Sequence, residues 1–295
     1  MNKKLEQIAK DIKEMHIQGA ISIALAAANA MESVIEESKA ETREQFMKEL
    51  GDAGDVLIST RPSAVALPNA VKEFIKEVGE SKAEFSNLKK DAIKIAKKYT
   101  EHIKISLQDI AKIGATLVED GDSIMIHCHS STVMEILKEA HNSGKRFEVF
   151  SMEARPWGQG YLSVKELSDH GIPTTLIVDN AAWTFMEQCS KVFVGADTIT
   201  RDGAVINKVG TAGLALIAKH FNKDFYVATE MLKLDKVRSA NQIVIEERPA
   251  EEIIDPKKLP KAKIRNPIFD VTEPEFVTKI ITEAGVFDPQ EIIKN

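Results

Sequence analysis

Apolar and polar positions alternate in two different rhythms along these 295 residues. Up to about residue 118 the apolar positions recur at helical spacing, as in 21–38, where Ile21, Leu25 and Ala28 step round a helix towards Glu32. Helices are predicted over 3–15, 21–38, 42–50, 69–79 and 84–101, in a stretch dominated by Ala, Lys, Glu and Ile. No proline occurs before Pro62, and Pro62 with Pro68 breaks any helix through 58–68, placing that polar stretch on a fixed loop. After Leu117 the rhythm changes to short apolar runs at 123–128, 147–150, 175–178, 191–194, 225–228 and 242–245. Helical segments intervene at 132–142, 163–170, 181–188 and 211–221. Strands alternating with helices predict right-handed βαβ units and a parallel sheet covered on both faces. The stretch 255–267, rich in Pro and Lys, reads as a surface loop before a final helix near 273–284.

Length agrees with two domains, at about 100–200 residues each, and the change of rhythm divides them into 1–118 and 119–295. Charge alters the picture more than composition does. Lys and Arg number 39 against 45 Asp and Glu, a net charge of −6. Residues 1–118 hold 18 of each sign, so the second part carries the whole excess. That balance argues against a nucleic-acid binder, which would need a basic surplus. Two cysteines, Cys128 and Cys189, make no disulfide framework and point to a reduced, cytoplasmic compartment. The N-terminal residues have no apolar core of a signal peptide. The longest uncharged run, Met15 to Met31, falls short of the ~20 apolar residues of a membrane span and reads as a buried helix.

Ligands of open α/β sheets bind beyond the carboxyl ends of the strands. The first predicted strand ends at Cys128, with His129 and Ser130 just past it; past the others stand Glu153 and Arg155, then Asp179 and Asn180, Asp197, and Thr229 with Glu230. Each alone reads equally as a capping carboxylate or a buried thiol; together they outline an active site. Strand alternation turns His127 and His129 away from the face that Cys128 takes, so neither a direct Cys–His pair nor a zinc site is expected. The two small residues before Asp197, Gly195 and Ala196, allow something bulky to approach the backbone, and a carboxyl shut away from water there would suit an acid catalyst. Asn207-Lys208-Val209-Gly210-Thr211-Ala212-Gly213 precedes an apolar helical run, an arrangement suited to an anion. Arg61 and Arg155 add cations beside prolines, although any single one reads equally as a solvated charge. Neither a dinucleotide fingerprint nor a P-loop is present.

These residues, in order, carry a resemblance: Ile17-Gln18-Gly19-Ala20, Thr60-Arg61-Pro62-Ser63, His127-Cys128-His129-Ser130, Glu153-Ala154-Arg155-Pro156, Gln159-Gly160, Gly195-Ala196-Asp197, Asn207-Lys208-Val209-Gly210-Thr211 and Asn266-Pro267-Ile268-Phe269-Asp270-Val271-Thr272. The chain resembles, over nearly its whole length, the family that unites the regulatory subunits of translation initiation factor 2B with sugar-1-phosphate isomerases. Within it the archaeal ribose 1,5-bisphosphate isomerases are the most similar. The resemblance implies an α/β protein: an N-terminal all-helical domain and a Rossmann-like, doubly wound parallel sheet domain, with the active site at their junction. It implies isomerisation of ribose 1,5-bisphosphate to ribulose 1,5-bisphosphate in AMP degradation, AMP as activator, assembly into dimers or hexamers, and no metal or other cofactor. By the same resemblance Cys128 and Asp197 are the catalytic pair. Gly19, Ala20, Arg61, Gln159, Asn207 and Lys208 hold a phosphate, with Ser63 and Arg155 nearby. Regulatory subunits generally lack the pair, so its presence favours an enzyme. The competing readings are 5-methylthioribose-1-phosphate isomerase and a non-catalytic subunit that senses nucleotide or sugar phosphate. Four positions depart from the pattern: Gln18 for Arg, Ser63 for Thr, Ala154 for Thr and Asn180 for Ser. Gln18 removes a cation from one phosphate contact.

Overall fold

The computed structural model describes residues 2–14, 16–17, 19–60 and 65–294. Its first compact unit, Met1–Ser106, is helical. Helices α1 (Lys3–Lys13), α2 (Ala20–Glu37), α3 (Arg43–Ser59), α4 (Ala66–Glu80) and α5 (Phe85–Ala115) follow one another. The side chains of Asn2 and Thr42 cap α1 and α3 by accepting from Leu5 N and Gln45 N, satisfying amides that a helix start leaves without partners. Ile35, Phe46, Leu50, Leu57, Val78 and Leu88 are fully buried in one core. Helices α3 and α5 run well past the 42–50 and 84–101 expected for them.

The second unit, Leu107–Asn295, is built on a seven-stranded sheet. Its strands are β1 (Ser123–Ile126), β2 (Glu148–Met152), β3 (Thr174–Ile177), β4 (Lys191–Gly195), β7 (Asp224–Ala228), β9 (Lys279–Thr282) and β10 (Gly285–Phe287). They lie in the order β10-β9-β7-β4-β1-β2-β3, all parallel except the β9–β10 edge pair. Side chains alternate between two cores. Met125, Val192 and Val227 face α8 (Ala182–Met186) and α9 (Thr211–His220). Ile124, Ile126 and Phe193 pack with Ile136 of α6 (Ser131–Asn142), Leu167 of α7 (Gly160–Asp169) and Ile110 and Ala115 of α5. The last turns of α5 thus belong to the sheet's core, and the two units divide between Ser106 and Leu107, before the change of rhythm at 118. The chain passes from β1 outward through β2 to β3, then returns to β4 on the other side of β1. The order of winding therefore reverses between β1 and β4, the position where open α/β sheets hold ligands.

Three expectations need correction. The run 242–245 is no strand: a 3-10 turn occupies Ala240–Gln242, and Ile243 and Ile245 instead pack on Ile206, Ile268 and Phe269. The final helix near 273–284 is replaced by a 3-10 turn, Pro274–Phe276, and by β9 and β10. Val277, Ile280 and Ile281 are buried, and β-branched residues suit a strand buried on both faces. A second, antiparallel sheet was not anticipated: β5 (Thr198–Ile199), β6 (Val205–Lys208) and β8 (Phe269–Thr272), with Asn207 opposite Asp270. Among the described residues no helix is long and apolar enough to cross a membrane.

Candidate active site

Cys128 follows the end of β1 by two residues and Asp197 follows the end of β4 by two, so both stand at the reversal point of the sheet. Cys128 has a left-handed backbone, φ 67°, a conformation that costs an L-residue with a side chain about 1–3 kcal/mol and that concentrates at functional sites. Its Sγ donates to Gln159 Oε1 at 3.3 Å. Crowding around the sulfur pushes the thiol up to about 11, because burial disfavours the thiolate. The ammonium of Lys208 and the backbone N–H of His129 pull the other way, while the Asp197 and Asp179 carboxylates add to the rise. The resting site therefore holds Cys128 as a thiol, and five groups from different elements act on one sulfur.

Asp197 is half-buried, and its turn is pinned from two sides. Its own N–H donates to Ile206 O at 2.9 Å. The preceding carbonyl, Ala196 O, accepts from Lys233 Nζ at 2.7 Å, and that buried ammonium pairs with the buried Glu230 carboxylate at 3.0 Å. The small residue Gly195 does let a side chain approach the backbone: a Cβ there would lie 2.5 Å from Ser130 Oγ, the N-cap of α6. Gly160 is required by a similar approach, a Cβ there falling 1.9 Å from the Met152 carbonyl oxygen. Its absence of side chain seats the start of α7, and with it Gln159, against the end of β2.

Lys208 ends β6, half-buried, with Nζ 5.9 Å from the centre of the Phe269 ring. Asn207 is buried, and its Nδ2 donates to Thr211 Oγ1 at 3.0 Å. The start of α9 is not left open for an outside anion, as the sequence suggested. Asp270 of β8 accepts from Gly210 N at 2.7 Å and Ala212 N at 3.2 Å. Burial nonetheless pushes the Asp270 carboxyl up to about 6. Arg155 is exposed, with Nη2 donating to Ile253 O at 3.4 Å. The turn before it is clamped by Asp179, which accepts from both Ala154 N and Arg155 N at 2.8 Å. Gly19 and Ala20 open α2 in the helical unit. Arg61 and Ser63, like Gln18, lie outside the described residues.

Neither imidazole beside Cys128 is turned to its thiol. His127 Nε2 donates to Val209 O at 2.9 Å, and burial lowers its pKa. His129 turns to Ser163. Among the described residues no three His, Cys, Asp or Glu side chains are grouped so as to hold a metal ion. Asp179 and Glu230 stand at strand ends in the sequence, where nothing local assigns them a task. Ser163, Lys233 and the capping role of Asp270 had no local signal at all.

The model of the Initiation factor 2 subunit family matches residues 16–289. A ribose 1,5-bisphosphate isomerase of Pyrococcus furiosus is 41% identical over 97% of this chain and 91% of its own length. A methylthioribose-1-phosphate isomerase of Geotalea daltonii is 38% identical over 95% of this chain and 86% of its own. Among solved structures, the translation initiation factor eIF-2B of Pyrococcus horikoshii OT3 superposes with a TM-score of 0.86 at 30% identity, covering 99% of this chain and 100% of its own.

Proposed function

The chain belongs to the Initiation factor 2 subunit family, and from that premise we propose that it is a sugar-phosphate isomerase converting ribose 1,5-bisphosphate to ribulose 1,5-bisphosphate. The observation that carries this reading is the placing of a thiol and a carboxyl, Cys128 and Asp197, at the reversal point of the sheet, with Lys208 acting on the same sulfur. A sugar with phosphate on its anomeric oxygen does not open its ring as a free aldose does. In the proposed reaction Asp197, protonated, gives its proton to the ring oxygen as the bond from that oxygen to C1 breaks. Cys128, having lost its thiol proton to solvent, takes as thiolate the proton from C2, and the electrons of that C–H bond form the C1–C2 double bond of a cis-phosphoenolate. Cys128 then returns a proton to C1 while Asp197 takes the proton of the C2 hydroxyl, giving the ketose and restoring both residues. A positioned acid or base contributes about 10²–10⁴ in rate. In the same reading Gln159, Asn207 and Lys208 take one phosphate, with Arg155 as a further cation. Lys208 and the His129 N–H favour the thiolate that the reaction needs. AMP as activator, a homo-oligomeric assembly of dimers or hexamers and a place in the cytoplasm belong to the same reading.

Phosphorus and proton NMR of the purified protein with ribose 1,5-bisphosphate, with and without AMP, tests it. Ribulose 1,5-bisphosphate is the expected product, and its absence under both conditions contradicts the reading. The likeness to the Geotalea enzyme makes 5-methylthioribose 1-phosphate the second substrate to run; faster turnover of it would transfer the assignment. The eIF-2B likeness supports a second reading, a non-catalytic sensor subunit, in which neither sugar turns over although sugar phosphate or nucleotide binds.

A further inference from the structure

The sulfur of Cys128 is aimed by a backbone that the residue does not choose by itself: its φ of 67° is foreign to side-chain-bearing residues. One polar chain holds that backbone. Ser163, on α7 and without solvent exposure, donates its hydroxyl proton to the carbonyl oxygen of Cys128 at 3.1 Å. A hydroxyl has one proton and two lone pairs, so the contact of Ser163 Oγ with His129 Nδ1, also 3.1 Å, runs from the ring N–H to the serine oxygen. On the far side of the ring, His129 Nε2 faces Glu166 Oε2 at 3.6 Å. Glu166 is itself held by Lys138 Nζ at 2.9 Å, and Lys138 also pairs with Glu135. The hydrogen-bonded link to the peptide unit of Cys128 thus runs from His129 Nδ1 through Ser163, with the Glu135, Lys138 and Glu166 charges beside the far edge of the ring. His129 meets it twice, since its own backbone N–H favours the Cys128 thiolate.

We propose that Ser163 and His129 are positioning residues for Cys128: they hold its carbonyl, and with it the left-handed turn that presents Sγ to the reacting carbon. Both act through Cys128: Ser163 is shut away from solvent, and its hydroxyl and the His129 Nδ1–H are engaged in this link. The proposal rests on the reading of Cys128 as the base in the isomerisation, and it deepens that reading by naming what keeps the base in place. Gln159 sets where Sγ rests; the Ser163–His129 pair sets the peptide from which Sγ departs.

The test uses Ser163→Ala and His129→Leu, which break the chain. Ser163→Thr and His129→Asn restore a hydroxyl and an N–H donor. With cysteine labelled by carbon-13, only Cys128 and Cys189 give resonances, and the Cα shift of Cys128 reports its backbone without any substrate. The breaking variants should shift the Cys128 Cα resonance toward ordinary extended or helical values and leave Cys189 in place, whereas the restoring variants return it. On ribose 1,5-bisphosphate, Ser163→Ala and His129→Leu should lower kcat by about ten- to a hundredfold with KM nearly unchanged, the cost of a misplaced reacting group. Ser163→Thr and His129→Asn should recover most of that loss. An unmoved Cys128 resonance in both breaking variants overturns the proposal, as does an unchanged kcat alongside a moved resonance. If the wild-type protein turns over no ribose 1,5-bisphosphate, the functional reading fails, and the resonance alone decides whether the pair holds Cys128. His129 is part-exposed, so its variants keep the test open if replacement of the buried Ser163 unfolds the protein.

Discussion

Cys128 meets opposed demands within one residue. In the proposed reaction it must be shielded enough to work on a carbon-bound proton, yet shielding keeps the thiol protonated, up to about 11. Lys208 and the His129 N–H act against burial without cancelling it. The thiolate fraction of the resting protein therefore climbs about tenfold per pH unit across pH 7–10, well past the range of a free cysteine. Alkylation of Cys128 by iodoacetamide, followed by mass spectrometry of the peptide, should rise in that proportion over the whole interval. A rate that levels off by pH 8 would contradict the assignment of a raised thiol. Cys189, buried and pushed up to about 12 for the same reason, should stay unmodified. Lys233 shows how much of a site lies outside its motif. It stands far along the chain from Gly195-Ala196-Asp197, yet its ammonium holds the carbonyl of that turn.

At the scale of elements, loops placed by rigid strands carry the chemistry, and secondary contacts lock each loop. Asp179 at the end of β3 clamps the turn after β2, and Asp270 on β8 caps α9 beside Lys208. Asp270 makes a measurable prediction. Burial outweighs its amide donors, so the folded chain keeps this proton to about pH 6 whereas an unfolded aspartate loses it near 4. A carboxyl raised on folding stabilises the fold at low pH, and that share is lost as pH rises through the folded value. Melting of wild type and Asp270→Asn compared between pH 4 and 7 should show wild type losing ground to the variant, by up to about 3 kcal/mol for a shift of two units. A difference that stays constant with pH, or grows in favour of wild type, would refute it. The same elements mark what the residues revealed and what they hid. The five strands 123–128, 147–150, 175–178, 191–194 and 225–228 announced themselves as apolar runs, and they recur as β1, β2, β3, β4 and β7 within a residue or two at each end. The small sheet did not, because Asn207 finds its partner Asp270 across more than sixty residues and the strands are short. The stretch 273–284 misled because its apolar spacing suits either period, and only pairing beside β7 made it a strand. Ser163 could not be picked out at all, since nothing in a helix of ordinary composition says that one hydroxyl reaches a cysteine carbonyl.

For the whole molecule, the parallel sheet places its reversal point between β1 and β4, and the two strands deliver Cys128 and Asp197 there. Residues 119–295 carry the entire net charge of −6, so the doubly phosphorylated sugar of the proposed reaction would find no broad basic surface to draw it in. In the proposed reading its phosphates would depend on a few local groups of this part, the cations Lys208 and Arg155 and the neutral donor Asn207. The uneven charge read from the chain thus describes the surface, with the site as its exception. The central claim is that Cys128 and Asp197 together carry an aldose–ketose isomerisation. Its most direct measurement is the rate of ribulose 1,5-bisphosphate formation from ribose 1,5-bisphosphate by wild type, Cys128→Ser and Asp197→Asn, each checked for an unchanged melting temperature. The account predicts a fall of at least about a hundredfold in kcat for either variant; full activity in Cys128→Ser or in Asp197→Asn would contradict it.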